Sequence, residues 1–387
     1  MGARLASLLA GVGLFVAGCQ PAAAPPPTAA PPIAAPTSVP AAVAPTQVAV
    51  AKPTTGATAA PAATAAPAPA PAAAATAAPS AAFSGPPVSL KVSYSNVIAD
   101  NLPEWMALEG GFFKQNGLDV QLDNIVSSTG IPALLSGQVQ VAQLGGSETL
   151  SAAAGGGDLV IIGIIGPVYP FVFMAPSSIT SIDQIKGKKI GVSNMGSSSD
   201  IATRVMLRQV NLDPEKDVTI VAVGSLENRV AALVNGAIDG GLAQPPDQLV
   251  LEDKGFHVIY DLAAQKLPSV GTAVVVQRSW LNANHDVAQR YIDSIVQSIA
   301  RSRQDKEQTL KVLQKYLKND DPRALGVTYD FFVGHVTPQY PQIRPEQFTD
   351  AIAQLSATND KIKGFDVSSI LDTSFVKSAM DRHLGEP

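Results

Sequence analysis

Across residues 88–277, short runs rich in Val, Ile and Leu alternate with longer stretches whose apolar positions recur at helical spacing, with Gly or Asn between them. The runs at 90–93, 119–123, 139–144, 159–165, 189–193, 218–223, 237–242, 257–261 and 272–277 predict strands. Helices are predicted near 103–115, 130–136, 147–155, 182–186, 198–210, 226–235 and 246–254. This alternation predicts an α/β fold with largely parallel sheets. After Trp280 the pattern turns mostly helical, and Val287, Tyr291, Ile292, Ile295 and Ile299 form one face of an amphipathic helix.

One stretch echoes another about a hundred residues later. Ala133-Leu134-Leu135-Ser136-Gly137-Gln138-Val139 and Ala232-Leu233-Val234-Asn235-Gly236-Ala237-Ile238 each read as a helix end, a C-terminal glycine and a strand start. The repeat suits two lobes of similar α/β build.

Composition divides the chain before any motif does. Only Arg4 and Lys52 of its 27 basic residues, and none of its 32 acids, precede Pro87. The folded part is therefore net acidic, which argues against nucleic acid as a partner, since phosphate binding needs a basic patch. The single cysteine, Cys19, excludes an intramolecular disulfide and a multi-cysteine metal site. The histidines, His257, His285, His335 and His383, stand at no metal-ligand spacing. Neither a metal nor a cofactor is expected.

The N-terminus reads as an address. Arg4, the apolar stretch 5–16 and the ending Val16-Ala17-Gly18-Cys19 have the build of a secretory signal over 1–18, with an apolar run shorter than the ~20 residues of a membrane span. The last four residues resemble the bacterial lipobox, which implies lipidation of Cys19 and a stable anchor on the outer face of the cytoplasmic membrane. Residues 19–87 hold the lipidated cysteine and an Ala/Pro/Thr-rich tether, with 16 of the 31 prolines between Gln20 and Pro86. Such a segment cannot build a core and acts as a semi-rigid spacer.

Four ordered blocks carry a resemblance. The segment from Pro103 through Ala107, Gly111-Phe112-Phe113 and Gly117-Leu118-Asp119-Val120 is the first. The stretches 133–142, then Ile185-Lys186-Gly187-Lys188-Lys189-Ile190-Gly191-Val192, then 212–218 with 232–239 are the others. Together they resemble the substrate-binding proteins of ABC importers of the nitrate/sulfonate/taurine type, related in fold to thiamin-pyrimidine-synthase-like proteins. Gln140 stands where that pattern usually has Asp, read here as a structural position.

The resemblance implies a two-lobe periplasmic-binding-protein fold of type II, with two crossing strands near 171–177 and 269–276. Lobe one would be 88–172 plus 275–387, and lobe two 175–268. It also implies a monomer that captures a small molecule and delivers it to permease transmembrane subunits served by a cytoplasmic ATPase. The related synthases rely on a histidine and a cysteine-rich segment, and no cysteine follows Cys19, so the chain is not expected to be an enzyme. A sensor would need a transmembrane helix and a signalling domain, neither of which is read here.

Ligands of α/β sheets sit beyond the carboxyl ends of strands, at helix N-termini. This geometry nominates Ser95 and Asn96 after the first strand, Ser128 after the second, and Ser147 and Glu148 after the third. In the second lobe it nominates Asn194, Ser197 and Ser198 before the 198–210 helix, and Gln244. Trp105 and Tyr169 are the leading aromatic platforms, ahead of Tyr94 and Phe171.

Glu104, Glu148 and Asp200 stand in candidate first turns, where each would oppose an anion; Arg204 could pair with Asp200 at i, i+4. Acids beside hydroxyls, amides and aromatics favour a planar vitamin-like ligand, riboflavin or a pyrimidine precursor. A sulfonate, taurine or nitrate ligand is the alternative, with the acids serving only as helix-dipole partners.

Overall fold

The computed structural model describes residues 83–386, without the side chains of Ser127 and Ser128. The expected signal, Cys19 and the tether up to residue 82 lie outside the described residues. The chain runs through β1 (Val88–Tyr94), α1 (Leu102–Glu109), α2 (Phe112–Gln115), β2 (Leu118–Asn124), α3 (Ser127–Leu135), β3 (Val141–Gly145), α4 (Gly146–Ala154) and β4 (Leu159–Ile164). Next come β5 (Val172–Pro176), β6 (Lys189–Val192), α5 (Ser198–Gln209), β7 (Thr219–Ala222), α6 (Leu226–Val234), β8 (Gly240–Ala243), α7 (Asp247–Glu252) and β9 (Phe256–Asp261). After β10 (Thr272–Gln277) it is helical: α8 (Arg278–Ala283), α9 (His285–Gln304), α10 (Lys306–Leu317), α11 (Pro322–Phe331), α12 (Thr349–Leu355) and α13 (Ser374–Asp381).

These elements follow the hydrophobic pattern closely. The one long helix expected over 103–115 is two, because Gly111 takes φ +74°, a left-handed conformation that breaks the helix and that glycine adopts without strain.

Two five-stranded sheets result, in the orders β2-β1-β3-β10-β4 and β7-β6-β8-β5-β9. β1 pairs in parallel with β2 and β3, and β6 with β7 and β8; β10 and β5 are the antiparallel members. Both sheets thus have the same topology, as the internal echo requires. In each copy the helix ends at a glycine of positive φ, Gly137 (+74°) or Gly236 (+69°), which opens the turn into the next strand.

The echo extends to side chains. Gln140 Oε1 accepts from the Lys91 N–H at 3.0 Å, and Asp239 Oδ2 accepts from the Lys189 N–H at 2.9 Å. Each residue stands immediately before a strand, β3 or β8, and bonds it to the neighbouring strand, so an amide oxygen does in the first lobe what a carboxylate does in the second.

The chain passes between sheets at 165–171 and 266–271. These segments run side by side, with the Ser269 N–H on the Pro167 carbonyl at 2.8 Å, the Gly271 N–H on the Gly166 carbonyl at 2.9 Å, and a bridge between Val168 and Pro268. The expected windows, 171–177 and 269–276, took in β5 and β10. Each of those strands pairs instead within one sheet, β5 with β8 and β9, β10 with β3 and β4, which moves the crossings ahead of them.

The amphipathic face of α9 is buried as its periodicity predicts: Val287 keeps 8% of its surface, and Tyr291, Ile292 and Ile295 keep none. It packs with Leu90, Val92, Val274 and Val276 on one face of the first sheet. α12 behaves differently, lying against both α4 of the first lobe and α5 of the second.

Candidate functional site

A cavity of about 10 Å³, roughly the room one water needs, lies between the lobes, lined by Ser147, Tyr169, Ser198, Ile201, Ser269, Val270, Gln347 and Ala351. Its walls come from the starts of α4 and α5, from both crossing segments and from the stretch leading into α12. Three of the residues nominated from sequence meet here: Ser147, Tyr169 and Ser198. The hydroxyls of Ser147, Tyr169, Ser198 and Ser269 and the N-termini of two helices converge, while no lining residue carries a formal charge. Free N–H groups and the dipole make helix starts positive, so this lining suits an electron-rich, oxygen-bearing group.

Local chemistry explains why α5 begins where it does. Ser197 is its N-cap: Oγ accepts from the Asp200 N–H at 3.4 Å and donates to the Asn194 carbonyl at 2.7 Å. Ser199 Oγ accepts from the Ser193 N–H at 2.9 Å. Ser197 therefore spends its hydroxyl on the turn itself, Asn194 is exposed, and Ser198 is the member of the run that lines the cavity. At the start of α4 Ser147 is buried, with 4% of its surface exposed.

Other nominated residues sit elsewhere. Asn96 donates to Ser95 Oγ at 3.3 Å, and the Asn96 carbonyl accepts from Asn101 Nδ2 at 2.7 Å, so the turn after β1 is closed on itself. Ser128 falls in the first turn of α3, its side chain outside the described residues. Gln244, buried after β8, leaves its Oε1 without a partner among the described residues.

Trp105 does not line this cavity. It is wholly buried, stacked on Tyr316 of α10 and edge-on to Tyr94 at the carboxyl end of β1, where the C-terminal helices cover the α1 turn that carries it.

The acids expected to repel an anion are each accounted for differently. Glu104 is fully buried, accepts from the Tyr291 hydroxyl, and is pushed by burial up to about 8. Asp200 accepts from the Gly196 N–H at 2.8 Å and pairs with Arg204 Nε at 2.7 Å, while Arg204 also reaches Glu215. Glu148 stands next to Ser147, and burial raises its pKa above the ordinary value. Asp200 is thus neutralised by a partner on its own helix and Glu104 by protonation, and Glu148 is biased toward the neutral form.

Sequence reasoning missed Ser269 and Val270, because a crossing segment has no periodic signature, and Gln347 and Ala351, because their stretch read only as helical. It also missed Arg229, whose spacing on α6 marks it as an ordinary surface cation. Arg229 keeps 2% exposure, donates to the Leu242 carbonyl at 2.6 Å and to Ser193 Oγ at 3.0 Å, and burial pushes it down to about 10. It ties the carboxyl ends of β6 and β8 together. Asp247 nearby is raised by burial to about 6.

Among the described residues no group of three or more His, Cys, Asp or Glu could hold a metal, and no helix is long and apolar enough to cross a membrane.

Residues 99–308 match the family model described as NMT1/THI5 like, more than half of the chain. The chain belongs to the NMT1/THI5-like family. The matched stretch runs from the turn before α1 into α10 and includes both sheets except β1. The chain is also 23% identical over 206 residues to YtlA of Bacillus subtilis (strain 168), provisionally named a binding protein. That match covers 50% of this chain and 60% of YtlA, so the chain spans less than two thirds of the relative's length.

Two solved structures share the fold. The periplasmic aliphatic sulphonate binding protein SsuA from Escherichia coli superposes with a TM-score of 0.57 at 20% identity, over 70% of this chain and 86% of that one. The alkanesulfonate-binding protein SsuA from Xanthomonas axonopodis pv. citri, bound to MOPS, gives 0.59 at 17% identity, over 75% and 100%. This NMT1/THI5-like chain accordingly has the two-lobed periplasmic-binding-protein fold expected from its sequence.

Proposed function

We propose that this protein is the extracytoplasmic solute-binding component of an ABC importer, and that its ligand is a small organic molecule bearing an oxyanion such as a sulfonate. One observation carries the reading: the N-termini of α4 and α5, one from each lobe, converge with the serines Ser147, Ser198 and Ser269 on an interlobe cavity whose lining residues carry no formal charge, the Tyr169 hydroxyl there donating to Asp350. Such a lining recognises an oxyanion through N–H and O–H donors, without a counter-ion. The SsuA neighbours, named for sulfonates, and YtlA, named as a binding protein, support it.

A planar vitamin is the weaker reading. Of its two leading stacking platforms Tyr169 lines the cavity but Trp105 is buried against Tyr316, and of its acids Glu104 and Asp200 are engaged elsewhere. A binding role is supported by the relatives that are themselves named as binding proteins.

Ligand touching both lobes stabilises the closed arrangement by its differential affinity, and the closed form is what the permease would receive. Cys19, lipidated, would hold the protein on the outer face of the membrane. Replacing Cys19 by Ser should release it into the soluble fraction, and continued membrane association refutes the anchor.

The direct test is the melting temperature of the full chain with ethanesulfonate, MOPS, nitrate, riboflavin and thiamin pyrimidine. A ligand at a hundred times its Kd adds about 2.7 kcal/mol of stability. A rise with the sulfonates supports the reading, whereas a rise with riboflavin or pyrimidine alone overturns the oxyanion assignment.

A further inference from the structure

The cleft of a two-lobed protein is normally thought of as having two walls. Here a third segment, 345–355, lies against α4 and α5 and lends Gln347 and Ala351 to the cavity lining. Phe348, Ala351 and Leu355 recur at helical spacing and are buried at 0%, 4% and 9%, in the same apolar cluster as Leu150 and Ala153 of α4 and Ile201 and Val205 of α5. Helix α12 therefore seats one face on both lobes at once.

Polar contacts fix that seat. Asp350 Oδ2 accepts from the Tyr169 hydroxyl at 3.0 Å, and Gln354 Oε1 accepts from Arg208 Nη2 of α5 at 3.4 Å. Gln347, 1% exposed, is held by the Arg344 N–H at 2.7 Å, so its side chain faces the cavity from a fixed position. Leu355 comes within 3.6 Å of where a Cβ on Gly196 would lie, beside the α5 N-cap.

We propose that segment 345–355 is the third wall of the ligand site, with Ala351 setting the space open to a ligand beyond Ser198 and α12 shifting on α5 to admit it. The proposal rests on the cleft being the ligand site, as argued above. Its physical basis is volume. The cavity holds only about 10 Å³, and Ala351 contributes the smallest side chain of its lining. Any larger side chain there fills what remains, since a packed interior has no slack to absorb it.

Because Cys19 is the only cysteine, the full chain carrying Cys19→Ser and Ser198→Cys presents one thiol, at the cavity. Its rate of modification by methyl and 2-sulfonatoethyl methanethiosulfonate reads access to the site without any bound ligand. Ala357→Cys on the same Cys19→Ser background, in an exposed turn, is the control. Adding Ala351→Leu should slow the reaction at position 198 by about tenfold while leaving the control unchanged. Adding Leu355→Ala, which loosens the seat on α5, should speed it severalfold, and gives a second reading should Ala351→Leu fail to fold. A rate at position 198 that neither substitution moves overturns the third wall. Failure of every sulfonate to raise the melting temperature would end the oxyanion reading, while the thiol rates still decide the role of the segment.

Discussion

Trp105 lies flat against Tyr316, ring centroids 4.7 Å apart and planes 7° from parallel. The pair joins α1 of the first lobe to α10, with Tyr94 edge-on at 5.7 Å. An aromatic that looked like a ligand platform is thus the centre of a structural sandwich. Trp105→Ala should cost about 3–5 kcal/mol of stability by leaving a large cavity. A lowered urea midpoint with ligand affinity retained where the domain is folded is the expected result. Full stability with lost affinity would return Trp105 to the cleft.

Asp200 and Arg204 form a pair one helical turn apart, their side chains 1% and 8% exposed. Removing the cation leaves a carboxylate buried with only the Gly196 N–H. Arg204→Met should therefore destabilise by about 3 kcal/mol. Denaturant titration of the variant checks this, and a change below the error of the fit would show that solvent screens the pair.

Two buried acids make stability depend on pH with a definite sign. Asp100, which accepts from Thr272 Oγ1 at 3.3 Å, is raised by burial to about 7, and Glu104 to about 8. Both bind protons more tightly folded than unfolded. Their contribution is complete below about pH 4, declines as pH rises, and is lost above about 8. The melting temperature should fall between pH 5 and 8.5, and Asp100→Asn with Glu104→Gln should flatten that slope. An unchanged slope would place the pH dependence elsewhere.

The crossing segments depend on close backbone approach. A Cβ at position 271 would lie 2.9 Å from the Gly166 carbonyl oxygen. Gly271→Ala should push the two segments apart and cost about 1–3 kcal/mol. Small-angle scattering beside a denaturation curve measures both effects, and a variant as stable and as compact as the parent would count against tight packing at the crossing.

Ser147 and Ser198 offer hydroxyls from opposite lobes. Replacing either by Ala should weaken binding of a sulfonate that raises the melting temperature by about 1 kcal/mol. Calorimetric titration decides this; two variants with parental affinity would remove the cavity from the ligand site.

The sequence by itself determined the elements and their order. Hydrophobic periodicity is local, so strands, helix starts and the duplicated glycine turns could be read from neighbours alone, and Ser147 and Ser198 followed from the rule that helix starts face the cleft. Gln140 could be read as structural for the same reason, and its amide proves to accept from the β1 backbone at Lys91 as Asp239 accepts from that of β6 at Lys189.

Only the tertiary structure decided which way the exceptional residues point. Trp105 and Glu104 both stood in the first turn of α1, yet their roles depend on Tyr316 and Tyr291, each about 200 residues away in the chain. Arg229 became a buried tie because two strand ends met over it, and Ala351 reached the cavity because α12 folds back across both lobes. Such contacts join parts of the chain distant in sequence, and no local pattern encodes them.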